Sequence, residues 1–195
     1  MKKSRLAELS LRLAGWQIEG DIPRIKKYVC LGVPHTSNWD GLVLMAFGQA
    51  VGLPMAFMIK SEWVNGPIGP LLRRFGAVSV DRGRASNVVD QMIAEMKRRD
   101  ELVLVIPPEG TRGRAEHWKS GFYRIALGAQ VPVVPGYMDF GRKRAGLGPP
   151  IELTGDVRAD MDRIRAFYAE KAPTGHDPAG FGPIRLREET DTAAG

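Results

Sequence analysis

The stretch Tyr28-Val29-Cys30-Leu31-Gly32-Val33-Pro34-His35-Thr36-Ser37-Asn38-Trp39-Asp40 runs from a compact apolar segment straight into a polar turn with a histidine and an aspartate. A short apolar run without alternation fits a strand covered on both faces. Leu102-Val103-Leu104-Val105-Ile106 repeats the pattern more strongly. Shorter strands are predicted at Met55 to Ile59, Ala77 to Val80 and Val131 to Val134. Between them the apolar spacing turns helical. This holds for Leu42 to Val51 and for Gly121 to Ala129, where Phe122, Ile125 and Ala126 share a side. It also holds after Ser86, read as an N-cap before Val88, Val89, Met92, Ile93 and Met96. Asp156 caps a last helix whose Val157, Met161, Ile164 and Phe167 or Tyr168 face inward. Strands alternating with helices predict one α/β domain with a mostly parallel or mixed central sheet flanked by helices.

Composition agrees. Hydrophobic residues make up 44% of the 195 and charged residues 26%, which is globular rather than disordered. The single cysteine, Cys30, excludes an internal disulfide framework and a four-cysteine zinc site, and favours a reducing compartment. With three histidines, no bound metal is expected. Lys2 and Lys3 are followed by Ser4-Arg5-Leu6-Ala7-Glu8, which is not the apolar core of a secretory leader. Residues 41–59 carry no charge, but Gly41, Gly48, Gly52 and Pro54 interrupt them. They read as a helix, a Gly52-Leu53-Pro54 turn and a strand, not a membrane span.

Three units are predicted: an N-terminal amphipathic helix within 1–20, the α/β domain over 21–171, and a loosely packed Pro- and Gly-rich tail over 172–195. Leu6, Leu9, Leu13 and Trp16 fall on one helical face, with Lys2, Lys3, Arg5 and Arg12 around it. Such a helix either lies in a membrane interface or packs on the domain.

Two clusters carry chemistry. His35 lies just past a strand end, where open α/β sheets place their sites. Asp40, folding back through a turn, would accept a hydrogen bond from one imidazole nitrogen and raise the basicity of the other, so that the pair takes a proton from a hydroxyl. A capping or core-edge histidine is the plainer reading. Pro107-Pro108-Glu109-Gly110-Thr111-Arg112-Gly113 follows the Leu102 strand. There Arg112 could grip a phosphate, helped by backbone amides, with Glu109 orienting it or meeting a hydroxyl. An ordinary polar loop with an Arg–Glu pair is the alternative. Cys30 and Ser37 are poor nucleophile candidates: one sits in an apolar strand and nothing marks the other as activated.

Taken in order, four blocks resemble the glycerophospholipid acyltransferase family, whose best-known members are the lysophosphatidic acid (1-acylglycerol-3-phosphate) acyltransferases. They are His35 with Asp40, the glycine–strand–arginine block from Gly76 to Arg82, Pro108 to Arg112, and Val131 to Pro135. Lys60-Ser61-Glu62, Gly66 to Leu72, and Lys119 with Gly121 resemble the family's connecting segments, so the resemblance spans about residues 28–136. Pro34 before the histidine, Pro107 in the third block and Gly113 after it depart from the usual pattern. The resemblance implies an acyltransferase domain that moves an acyl group from a thioester, acyl-CoA or acyl carrier protein, to a hydroxyl. The acceptor would be a lysophospholipid, foremost 1-acylglycerol-3-phosphate, or another hydroxylated lipid such as a glycolipid or amino-acid lipid. His35 would be the base and Asp40 its orienting partner. Arg82 and Arg112 would hold phosphate, Glu109, Gly110 and Thr111 would shape the site, Lys60 would face the oxyanion, and Lys119 would add to substrate binding. No cofactor beyond the thioester co-substrate is implied. The expected location is cytoplasmic, peripheral to the inner face of the cell membrane.

The net charge of +6 is unevenly spread. Residues 1–30 hold seven basic and three acidic residues, and residues 110–144 hold seven and two. A membrane-surface or carrier-protein dock plus a phosphate site accounts for that distribution. A nucleic-acid partner is not expected, because no binding motif or base-stacking aromatic series accompanies the charge.

Overall fold

The computed structural model describes residues 3–80 and 85–191, and the side chains of 85–87, 190 and 191 fall outside it. Helix α1 (Arg5–Leu13) leads into β1 (Gln17–Glu19), β2 (Lys27–Val33), α2 (Asn38–Val51) and β3 (Met55–Lys60). Two short helices, α3 (Ser61–Val64) and α4 (Gly69–Arg74), precede β4 (Ala77–Val80), α5 (Ala85–Arg98) and β5 (Leu102–Ile106). Helix α6 (Gly121–Ala129), β6 (Val133–Asp139), β7 (Arg144–Leu147), α7 (Val157–Lys171) and a final turn of helix, α8 (Glu188–Asp191), complete the chain.

The seven strands among the described residues form one sheet in the order β1-β7-β6-β2-β5-β3-β4. Among the six described strand pairs, β6–β7 is antiparallel and the other five are parallel. The sheet is therefore mostly parallel and helix-covered, as expected. Strand β2 is central, pairing Leu31 with Ile106 of β5 and Val33 with Tyr137 of β6. Alternate residues of the central strands feed two apolar layers. Val29, Leu31, Leu102 and Leu104 pack with Met92, Phe122, Met161 and Ile164 of α5, α6 and α7. Tyr28, Cys30, Val103 and Val105 face the other way, toward Phe47 and Ala50 of α2 and Leu11 of α1. No helix among the described residues is long and apolar enough to cross a membrane.

Several boundaries differ from the sequence reading. Helix α2 starts at Asn38, not Leu42, because Ser37 caps it and Asp40 closes a capping box. Helix α5 starts at Ala85, so Ser86 lies inside its first turn rather than at the cap. Strand β6 begins two residues later than predicted and runs through Pro135 to Asp139. Helix α1 ends at Leu13, and Gly15 turns the chain at φ +82°, so Trp16 leaves the helical face assigned to it. Trp16 is buried against Phe140 instead, edge to face with ring centroids 4.9 Å apart. Leu11 is the buried residue of α1, while Leu6, Leu9 and Leu13 are exposed. The helix thus packs on α2 through one side and leaves its leucine face outward.

Four residues of the C-terminal segment are anchored in the domain. Pro173, Gly175, Gly180 and Leu186 are buried, and Trp118 bridges to Leu186 as a short parallel pair. Gly175, Gly180 and Gly182 there permit close approach to the domain.

Candidate active site

Helix α2 follows β2 after four residues, and its start is built around one carboxylate. Asp40 Oδ2 accepts backbone N–H bonds from Thr36 (2.5 Å) and Ser37 (2.7 Å), and Oδ1 accepts the Ser37 hydroxyl at 2.8 Å. Ser37 Oγ in turn accepts the Trp39 N–H at 3.1 Å. Asp40 is buried, and Nδ1 of His35 lies 3.3 Å from its Oδ2. Burial alone would raise the Asp40 pKa, but hydrogen bonds from His35, Ser37 and Thr36 outweigh it and hold the carboxyl below its usual range. An ionised Asp40 keeps the proton on Nδ1 and leaves Nε2 as the basic nitrogen.

The 107–113 loop follows β5, the strand beside β2. It sends Glu109 beneath the histidine, where Oε1 accepts the His35 backbone N–H at 3.1 Å. Glu109 is 2% exposed, and its Oε2 has no hydrogen-bond partner among the described residues. Burial raises its pKa to about 7, against its own and the His35 N–H groups, which pull it down. Gly110 turns the loop at φ +67°, a conformation that favours glycine.

A cavity of about 760 Å³ opens between the two loops. His35, Asp40, Gly110, Thr111 and Arg112 line it together. Its apolar wall comes from residues not singled out in the sequence, chiefly Leu44, Phe57, Met58 and Met138. Leu44, Phe57 and Met58 belong to the uncharged 41–59 stretch, which is the available signal; Met138 comes from β6 and has none. Arg112 is the Arg or Lys side chain on the cavity wall among the described residues.

The remaining candidates lie apart. Lys60 stands at the exposed end of β3 and is not part of the cavity wall. Lys119 is on the far side of the 107–113 loop: its backbone N–H donates to the Pro108 carbonyl at 2.7 Å, and its stem covers Gly110. It faces a neighbouring cavity of about 480 Å³ with Thr111 and Glu116. Arg82 lies outside the described residues. Cys30 is buried in β2, where burial pushes its thiol up to about 12, and Ser37 is committed to Asp40 and the helix cap. Neither is set up as a nucleophile.

This arrangement sets a histidine against a buried carboxylate, beside an arginine, at the carboxyl ends of adjacent parallel strands, with no activated nucleophile among the described residues. A family model described as Acyltransferase matches residues 17–139, and the chain belongs to that family, in its glycerophospholipid branch. A probable 1-acyl-sn-glycerol-3-phosphate acyltransferase of Mycoplasma pneumoniae is 30% identical over 69% of this chain and 53% of its own length. The 1-acyl-sn-glycerol-3-phosphate acyltransferase alpha of Ovis aries is 31% identical over 85% of this chain and 66% of its own. The chain therefore spans between half and two-thirds of the length of these curated relatives. The crystal structure of the 1-acyl-sn-glycerophosphate (LPA) acyltransferase PlsC from Thermotoga maritima shares the fold. Its TM-score is 0.61 at 18% identity, over 87% of this chain and 78% of that one.

Proposed function

We propose that the chain is an O-acyltransferase that moves a fatty acyl group from a thioester to the free hydroxyl of a lysophospholipid, foremost 1-acylglycerol-3-phosphate. The observation that carries this reading is the 3.3 Å approach of His35 Nδ1 to the buried Asp40, on the wall of a cavity that Arg112 also lines. In the proposed step, His35 Nε2 removes the proton of the acceptor hydroxyl as the oxygen attacks the thioester carbonyl. Asp40 stabilises the imidazolium so formed. Collapse of the tetrahedral adduct breaks the C–S bond, and the imidazolium returns the proton to the departing sulfur. The products are an ester and a free thiol, with no acyl-enzyme. Arg112 binds the acceptor phosphate, which favours a lysophosphatidate over an uncharged lipid alcohol. The thioester supplies its own activation, so the proposed reaction calls on no resident metal or cofactor.

Support for a membrane-surface location comes from α1, where Leu6, Leu9 and Leu13 are 78%, 52% and 80% exposed beside Arg5 and Arg12. We place the enzyme on the cytoplasmic side, peripheral to the inner face of the cell membrane, where its lipid acceptor lies. The donor is acyl-CoA or an acyl carrier protein. The decisive assay offers each donor with a panel of lysolipids and identifies products by mass spectrometry. His35→Ala is expected to lower kcat by about 10²–10⁴, the usual contribution of a general base. Near wild-type turnover in that variant would end the proposal.

A further inference from the structure

Thr36, directly after the base, is buried inside a fold of the C-terminal segment. Its Oγ1 accepts the Asp177 backbone N–H at 3.1 Å. A methyl group on Gly175 would lie 2.7 Å from that Oγ1 and 2.8 Å from Thr36 Cγ2. A methyl group on Gly180 would lie 3.1 Å from Thr36 Cγ2 and 3.0 Å from the carbonyl oxygen of Arg112. Neither glycine has a positive φ, so close contact, not backbone conformation, is what asks for glycine. Gly180 is thus the spacer where the loop bearing His35 and the loop bearing Arg112 meet. The segment is fastened on both sides of it. The Phe140 N–H donates to the Thr174 carbonyl at 2.8 Å, Arg114 to the Phe181 carbonyl at 3.3 Å, and the Trp118 N–H to the Arg185 carbonyl at 2.8 Å.

We propose that Gly180, closing with Gly175 around Thr36, is a positioning residue that sets the separation of His35 from Arg112 and so the affinity of the site for a phosphate-bearing acceptor. The inference rests on Arg112 being the phosphate ligand. A hydroxyl and a phosphate on one small acceptor have a limited span, and both must be met at once for the hydroxyl to sit at the base. Charge-assisted hydrogen bonds to phosphate are short and directional, so a shift of a few tenths of an ångström at Arg112 weakens them.

The test uses the full chain, its preferred thioester donor and 1-acylglycerol-3-phosphate. Gly180→Ala is expected to raise the acceptor KM about tenfold while kcat and the donor KM stay within about twofold, as for loss of uniform acceptor binding. Adding Thr36→Ser, which removes Cγ2 and keeps Oγ1, makes room for the new methyl and returns the acceptor KM toward wild type. Leu186→Ala, a buried change in the same segment, lowers Tm without raising the acceptor KM. An unchanged acceptor KM in Gly180→Ala, or a rise without rescue, overturns the proposal. Should Gly180→Ala fail to fold, Thr36→Ser alone carries the test by loosening the same junction. An acceptor KM raised about threefold at constant donor KM supports the proposal, and no change overturns it. Arg112→Ala separates the two readings. If it leaves the acceptor KM unchanged, the phosphate assignment itself fails. If it raises that KM while Gly180→Ala does not, only the role of Gly180 fails.

Discussion

Asp160 and Glu109 are both buried carboxylates, and they are treated in opposite ways. Asp160 opens α7, on the side of the sheet covered by α5, α6 and α7. It accepts the Tyr123 hydroxyl at 2.7 Å, the Thr154 N–H and hydroxyl, the Gly155 N–H and the Arg163 guanidinium. Burial would raise its pKa, but these donors, led by Tyr123, hold it below the usual range. Glu109 lies behind the His35 loop, against the neighbouring cavity of about 480 Å³ that Lys119 also lines, with Oε2 unpartnered among the described residues and a pKa of about 7. The exposed apolar residues divide in the same sense. Among the described residues, α5, α6 and α7 expose one large hydrophobic, Leu127, whereas α1 and α2 expose Leu6, Leu9, Leu13, Trp39 and Leu42. Trp63, Ile68, Leu71 and Phe75 are further exposed apolar side chains on and beside α3 and α4, at the β4 edge of the sheet. One side of the sheet is built to be stable. The other leaves apolar surface bare, a cost that the proposed membrane-surface function would repay.

The largest effect expected from this contrast is at Asp160. Asp160→Ala leaves Tyr123, Thr154 and Arg163 without their acceptor, and removing one partner of a buried charge network costs about 3–5 kcal/mol. Denaturant unfolding should show that loss, while kcat per folded molecule stays at wild type. A catalytic defect larger than the stability loss explains would show that the two sides are not separate in function.

Glu109→Gln tests the other carboxylate through pH. The ordinary pKa is 4.5 and the folded value is about 7, so between them the folded state keeps a proton that the unfolded chain has released. Stability contributed by this group therefore falls as pH rises through that window and is level above it. The total is about 3 kcal/mol for a shift of this size. Glutamine keeps the acceptor for the His35 N–H and does not titrate, so the wild type should lose that amount relative to Glu109→Gln between pH 4.5 and 7.5. Asp160 slopes the other way: its stabilisation is present above pH 3.8 and is lost on acidification through its lowered folded pKa. Parallel pH profiles for wild type and Glu109→Gln would remove the distinction between the two carboxylates.

How much of this was readable beforehand varies by region. The apolar strands Tyr28 to Val33 and Leu102 to Ile106 were legible because burial on both faces leaves a continuous run. The pairing of His35 with Asp40 was legible from local spacing, since the contact is made within one turn. The second role of Asp40 was legible but unread: Ser37-x-x-Asp40 is a capping-box pattern, and it starts α2 four residues before the apolar periodicity does. Trp16 was misassigned because spacing alone cannot register the turn at Gly15 or a partner as distant as Phe140. The C-terminal segment was illegible in the same way. Glycines that let a chain approach Thr36 and Arg112 closely have the composition of a loose tail, and only the fold tells the two apart.

The smallest expected effect lies on the exposed leucines. Replacing Leu6, Leu9 and Leu13 together by Ser removes apolar area that the folded domain does not use. Leu11 and Ala7, which pack inward, are untouched. Unfolding free energy should therefore stay within about 0.5 kcal/mol of wild type, as for substitutions away from packed sites. Partitioning onto vesicles that contain anionic phospholipid should fall by at least about tenfold, since each leucine inserted into an interface contributes on the order of 1 kcal/mol. Activity should fall on vesicle-borne acceptor and hold on a short-chain acceptor dispersed in solution. If vesicle binding is instead carried by Trp39 and Leu42 near the cavity, the leucine variant will bind normally and a Trp39→Ser, Leu42→Ser variant will not. That outcome would keep the contrast between the two sides and move the membrane contact from α1 to the mouth of the site. If neither variant changes binding, exposure of apolar side chains on this side has another cause and the contrast loses its functional meaning.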